Sequence, residues 1–180
     1  MLPADYVELL GELGVAFTAY ERATGNWPVL VGGAATAIQT AGDFMSGDFD
    51  IVASDDTAFA AAMNEAGFVA EQSVGHGLGG FYHPDYPAYG VEQVSGSLFD
   101  GRSDRARLIK LIVRDGSAIV LPSIEDLIAD RLAQHAVASA SDDSRLMQAR
   151  ELLRIAKEID EYYLKRRIIE ESGDPTLLGL

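Results

Sequence analysis

The chain has no cysteine, no apolar run of membrane-spanning length and only three histidines, and its first 100 residues hold a single basic side chain, Arg22, against 14 acidic ones. The missing cysteines exclude disulfides and thiolate metal centres. A transmembrane helix needs about 18 or more consecutive apolar residues. The start, MLPADYVELL, lacks a basic segment followed by an apolar core, so no secretory signal is expected and the cytoplasm is the expected compartment. His76, His83 and His135 are scattered, with neither zinc spacing nor a Ser-His-Asp pattern around them. The net charge of −14 repels phosphate backbones, which argues against a nucleic-acid surface. The other 13 basic residues all lie in residues 101–180, where Arg102, Arg105, Arg107 and Lys110 form the first cluster. That cluster would either guide an anionic substrate or be ordinary strand-surface charge.

What is present suits one α+β unit of 180 residues. Tyr6, Leu9, Leu10, Leu13 and Phe17 recur at helical spacing, so a helix is expected from Asp5 to about Arg22. Val29-Leu30-Val31 is a short buried strand, Gly32-Gly33 ends it, and Ala34–Thr40 is helical. Asp48–Ala53 alternates Asp, Phe, Asp, Ile and is a strand with both aspartates on one face. Ser54-Asp55-Asp56 opens a helix to about Ala66. Further strands are expected at Phe68–Gln72, Gly80–His83 and Gly90–Val94, the last two within or beside a Gly-, Tyr- and Pro-rich loop from His76 to Tyr89. Arg114-Asp115-Gly116-Ser117 is a hairpin turn joining Arg107–Val113 to Ala118–Leu121. Ser123 caps a helix to about Ala138, and one long helix is expected from Asp142 to about Glu171. The expected plan is a mixed sheet flanked by helices over 1–121, with a helical segment over 122–180 packed upon it.

Asp48 and Asp50 pose the chemical question. Ionised carboxylates inside an apolar run are costly unless paired. Two residues apart on a strand, they stand about 7 Å from each other at Cα and can converge on divalent cations. Magnesium takes oxygen ligands, commonly one or two carboxylates plus substrate phosphates. The bland alternative is an edge strand with a polar face. A strand ending in Gly-Gly before a helix offers backbone N–H groups to phosphate oxygens, which favours the metal reading.

Val31-Gly32-Gly33-Ala34-Ala35 followed by Ser46-Gly47-Asp48-Phe49-Asp50-Ile51-Val52 resembles the signature of the nucleotidyltransferase superfamily with the DNA polymerase β-type fold, most of all its minimal, AbiEii toxin-like group. Leu121–Leu132 is similar to the helix that follows the catalytic sheet in that group, where a basic residue can face the triphosphate. The resemblance covers roughly residues 5–155. It implies a nucleotidyltransferase-like fold, magnesium (one or two ions) and a nucleoside triphosphate, with NMP moved to an unidentified acceptor hydroxyl on tRNA, protein or a small molecule. Asp48 and Asp50 would be catalytic metal ligands. Glu92, mid-strand between apolar residues, would be the third; Asp100 and Asp115 are runners-up. Gly32, Gly33, Ser46 and Arg131 would face the phosphates, unless Arg131 is a solvated helix residue or pairs with Glu125 or Asp126. A toxin–antitoxin role is what the resemblance suggests. Three departures stand out: 14 residues separate Gly33 from Asp48, Phe44 stands where a basic residue is usual, and Glu replaces Asp at position 92. The competing class is an inactive binding protein of this fold. For either class, Tyr162, Tyr163, Ile168 and Ile169 on the last helix would offer a dimer or partner surface. Lys165-Arg166-Arg167 complements that helix's dipole without needing a ligand.

Overall fold

The computed structural model describes residues 1–71, 80–139 and 141–180. His76, the start of its loop, and Gln72 at the end of the expected Phe68–Gln72 strand lie outside the described residues. The helix α1 (Ala4–Thr24) buries Tyr6, Leu9, Leu13 and Phe17 and ends at Gly25 in the left-handed conformation. After β1 (Val29–Val31) the chain turns directly into α2 (Gly32–Gln39), then β2 (Asp48–Val52). Asp55 caps α3 (Asp56–Glu65) by accepting from the Ala58 N–H. Short strands β3 (Val69–Ala70) and β4 (Gly80–Tyr82) precede β5 (Gly90–Ser95).

These five strands form one sheet in the order β1-β2-β5-β4-β3. All neighbours are antiparallel except β2 and β5, which run parallel with Asp48 opposite Gly90 and Asp50 opposite Glu92. Phe49, Ile51 and Val91 point into the core, fully buried. The alternation of the sequence thus puts every second residue of β2 and β5 on the opposite, open face. A separate hairpin, β6 (Ile109–Arg114) and β7 (Ser117–Leu121), packs against α1. Its turn places Asp115 and Gly116 at positive φ, as an Asp-Gly hairpin requires.

The helical segment departs from expectation. Ser123 does cap α4 (Ile124–Val137), accepting from the Asp126 N–H. The single long helix is two, α5 (Ser144–Ile155) and α6 (Glu161–Glu170), both packed on α4. Asp160 makes the break. Its carboxylate caps the Tyr163 N–H and takes Arg107 at 2.7 Å, while its own N–H donates to Glu125. The apolar stripe continues across the break, so the periodicity could not reveal it. The surface expected on the last helix is also smaller: Tyr163 and Ile168 are core residues, and only Tyr162 and Ile169 stay exposed. Arg167 does lie in the last turn of α6, and there it is completely buried against Asp126. None of the described helices is long and apolar enough to cross a membrane.

Candidate active site

Backbone geometry sets the site before any side chain does. Val31 pairs with Asp50 across β1 and β2, so the next residue, Gly32, lies beside the Asp50 side chain. Gly32 has φ of +67°, and a Cβ there would collide with the Asp50 carboxylate. Only glycine supplies both the left-handed turn and the clearance. A Cβ on Gly33 would come within 2.8 Å of the Ser46 hydroxyl. Ser46 in turn donates to the Asp48 carbonyl at 3.0 Å, which ties the loop before β2 to the strand. No side chain caps the first turn of α2, and Gly33 of that turn lines a cavity together with Ser46.

Asp48, Asp50 and Glu92 stand together on the open face of the sheet: Asp48 and Asp50 alternate along β2, and Glu92 is the partner of Asp50 on β5. Of the runners-up, Asp115 lies in the separate hairpin and Asp100 in a 3-10 turn beyond β5. Burial is the chief cause that lifts the Asp50 carboxyl above its ordinary range; Arg131 pulls it down, and Glu92, Asp48 and Asp130 push it further up. The carboxylates therefore repel one another across a face with too little positive charge. Their oxygen donors suit a hard cation such as magnesium. Among the described residues, no three acidic or histidine side chains are already gathered as a metal cluster. A metal would have to draw these carboxylates in and take its remaining ligands from phosphate oxygens and water, which is magnesium's usual habit.

Two cavities meet at Asp50. One of about 240 Å³ is lined by Gly33, Ser46, Asp48 and Asp50 on the sheet side and by Arg131, Gln134, Arg145 and Gln148 from the helical segment. Arg131 is thus brought to the site, but it is neither a solvated helix residue nor a partner of Glu125 or Asp126. It is 2% exposed and its Nε and Nη2 both bind the carboxylate of its neighbour Asp130. The second cavity, of about 480 Å³, runs along the sheet face from Asp50 past Val52 and Val94 to Ser97 and Phe99. Asp100, Asp130 and Glu171 also line it, each paired with an arginine, and among the described residues no Lys, Arg or His lines it.

The basic cluster after β5 is absorbed locally. Arg102 binds Asp100 and Glu171, Arg107 binds Asp160 and lies over Tyr163, and Lys110 lies over Trp27. The loop around His83 is likewise structural in its contacts: His83 meets Phe68 and Tyr86, and Tyr89 meets Tyr6 and Phe49. Sequence reasoning missed Arg145 and Gln134. Nothing in their local sequence marks them, because the packing of α4 and α5 against the sheet, and not a motif, brings them to the cavity.

No protein-family profile matches the sequence, and no curated protein sequence matches it. Solved structures do. An antigenic nucleotidyltransferase-like protein from Paracoccidioides brasiliensis superposes with a TM-score of 0.62 at 15% identity, covering 93% of this chain and 88% of that one. ANT(2'')-Ia in complex with adenylyl-2''-tobramycin gives 0.59 at 11% identity, over 92% and 97% of the two chains. The solution structure of ANT(2'')-Ia gives 0.56 at 9% identity, over 90% of each. At these identities the likeness is one of fold, and it spans nearly the whole chain: the protein has the mixed α+β fold of nucleotidyltransferase structures.

Proposed function

We propose that the protein transfers a nucleoside monophosphate from a nucleoside triphosphate to an acceptor hydroxyl with the help of magnesium. The observation that carries this reading is the placement of Asp48, Asp50 and Glu92 on one open sheet face beside the Gly33–Ser46 wall. Asp48, Asp50 and Glu92 would hold magnesium, one ion or two, which when bound neutralises charge on the α-phosphate and the leaving oxygen. The Gly32-Gly33 turn and Ser46 would receive the phosphates, with Arg131 behind them. Glu92 would also accept the proton of the attacking hydroxyl. The new bond forms between that oxygen and the α-phosphorus, the bond to the β-phosphate bridging oxygen breaks, and pyrophosphate leaves.

In-line displacement puts the acceptor on the side of the α-phosphorus opposite the leaving group. With pyrophosphate in the smaller cavity, the acceptor enters from the larger one. The net charge of −14 favours a neutral or cationic acceptor over tRNA. A similar structure carries adenylyl-2''-tobramycin, which makes tobramycin a first acceptor to try. A toxin–antitoxin role has the AbiEii-like sequence motif as its support.

The direct test is calorimetric titration of ATP, GTP, CTP and UTP with and without magnesium, followed by assay of pyrophosphate release with candidate acceptors. Magnesium-dependent binding of at least one nucleotide is expected. A folded protein that binds none of the four sinks the proposal. Gly32→Ala tests the geometry: it would cost about 1–2 kcal/mol for the left-handed backbone and displace Asp50. Magnesium-dependent turnover should fall by about 100-fold, the scale of a one-ångström misplacement, with circular dichroism unchanged. Wild-type turnover in this variant would show that the close approach is dispensable.

A further inference from the structure

We propose that Arg145, and not Arg131, is the side chain that clamps the departing diphosphate; this rests on the nucleotidyl-transfer reading above. Both arginines line the smaller cavity, opposite Gly33 and Ser46. They differ in what their charge already does. Arg131 is buried and spends two of its donors on Asp130, with Nη1 directed at Gln148 at 3.4 Å. Releasing it would unmake a charge-assisted pair and leave the Asp130 carboxylate with Gln134 as its side-chain donor. Arg145 is half-buried and is held by neutral groups only, Nε on the Gln134 carbonyl oxygen at 3.4 Å and Nη1 on the Ser144 hydroxyl at 3.2 Å.

No carboxylate among the described residues lies within salt-bridge distance of Arg145. Asp142 feels its charge, but that carboxylate is held low first by Ser144, whose N–H it accepts at 3.0 Å. Trading two long neutral bonds for charge-assisted ones to phosphate is favourable, and the guanidinium fork suits a diphosphate bidentately. Arg145 also answers the missing charge at Phe44. The sheet side of the cavity offers backbone N–H groups and a hydroxyl but no cation, and the helical segment supplies it across the cleft.

The arrangement has a consequence for the second cavity. Gln134 lines both cavities, accepts from Arg145 and donates to Asp130 at 3.3 Å. Withdrawal of Arg145 to the phosphates frees the Gln134 carbonyl oxygen for a donor in the larger cavity, so a filled diphosphate site would favour acceptor entry.

The test is titration of magnesium tripolyphosphate, each magnesium NTP and each NMP into wild type, Arg145→Ala and Arg145→Lys, with thermal unfolding of all three. Arg145→Ala should weaken tripolyphosphate and NTP binding by about 10- to 100-fold, the usual worth of one charge-assisted contact. NMP affinity and the unfolding midpoint should stay at wild-type values, and Arg145→Lys should recover part of the loss. If wild type binds NTP and Arg145→Ala binds tripolyphosphate equally well, the assignment to Arg145 is wrong while nucleotidyl transfer stands. If wild type binds neither tripolyphosphate nor any NTP, both proposals fall.

Discussion

Asp50→Asn is expected to lower magnesium-dependent pyrophosphate release by about a thousandfold, the scale seen when one preorganised electrostatic contact to a transition state is removed, and at the same time to raise the unfolding midpoint of the metal-free protein. Both effects have one cause. Asp50 sits at the meeting point of the two cavities, half-buried, facing Glu92 across the β2–β5 ladder. Burial, and then the charges of Glu92, Asp48 and Asp130, lift its carboxyl above the ordinary range despite Arg131. A carboxyl whose folded pKa is raised costs nothing below the unfolded value of 3.8 and destabilises increasingly as pH rises through the folded value. The stability advantage of Asp50→Asn should therefore be absent near pH 3, grow above 3.8 and level off once the folded carboxyl is ionised. Denaturant unfolding of both proteins across pH 3–7, together with pyrophosphate release at neutral pH, measures this. An asparagine variant less stable than wild type at pH 7 would mean that Asp50 is a structural residue, held by Arg131 more strongly than burial and its acidic neighbours oppose it. A gain in stability with a loss of turnover is what a group kept for function and not for folding should show.

Asp126→Ala should destabilise the fold by about 3–5 kcal/mol, the cost of stranding one partner of a buried ion pair, which for a chain of this size lowers the unfolding midpoint by roughly 6–20 °C. Both side chains of the Asp126–Arg167 pair are completely buried, with Nε and Oδ1 2.5 Å apart. The carboxylate also accepts from the hydroxyls of Ser103, Ser123 and Tyr163, so it joins the loop after β5 to α4 and α6. Burial pulls the Arg167 guanidinium down, but its bonds to Asp126, Glu170 and Glu171 more than offset that and hold it above the usual arginine range. Removing the carboxylate leaves three hydroxyls without this acceptor and the guanidinium with two partners instead of three. Asp126→Leu/Arg167→Leu, which removes both charges, should recover much of the loss, because an apolar pair of similar volume is often no worse than a buried salt bridge. A loss under about 1 kcal/mol for Asp126→Ala would show that water or Glu170 and Glu171 replace the lost contacts, on the scale of a surface pair. The network reaches the site through Glu171, which binds Arg167 and Arg102 and lines the larger cavity with Asp100.

The sequence by itself determined whatever depends on neighbours along the chain. The two-residue alternation of Asp48-Phe49-Asp50-Ile51 is enough to put two carboxylates on one face and two apolar side chains in the core, and the burial follows it. Gly32-Gly33 after a strand, the Asp115-Gly116 turn and the cap at Ser123 were legible for the same reason: each is a backbone requirement met within four residues; the cap expected at Ser54 falls one residue later, on Asp55. Tertiary structure decided everything that needs two distant segments to meet. The parallel register that sets Glu92 opposite Asp50 joins residues 42 positions apart, and no local pattern fixes it. The break at Asp160 comes from partners on Arg107 and Glu125, which override a continuous apolar stripe. Arg131, Arg145 and Arg167 look alike in sequence, three arginines on helices. Packing gave one to Asp130, buried one against Asp126 and left one at the cavity bound only to neutral groups, because the role of a charge is set by which opposite charges the fold brings within reach, and periodicity carries no record of that.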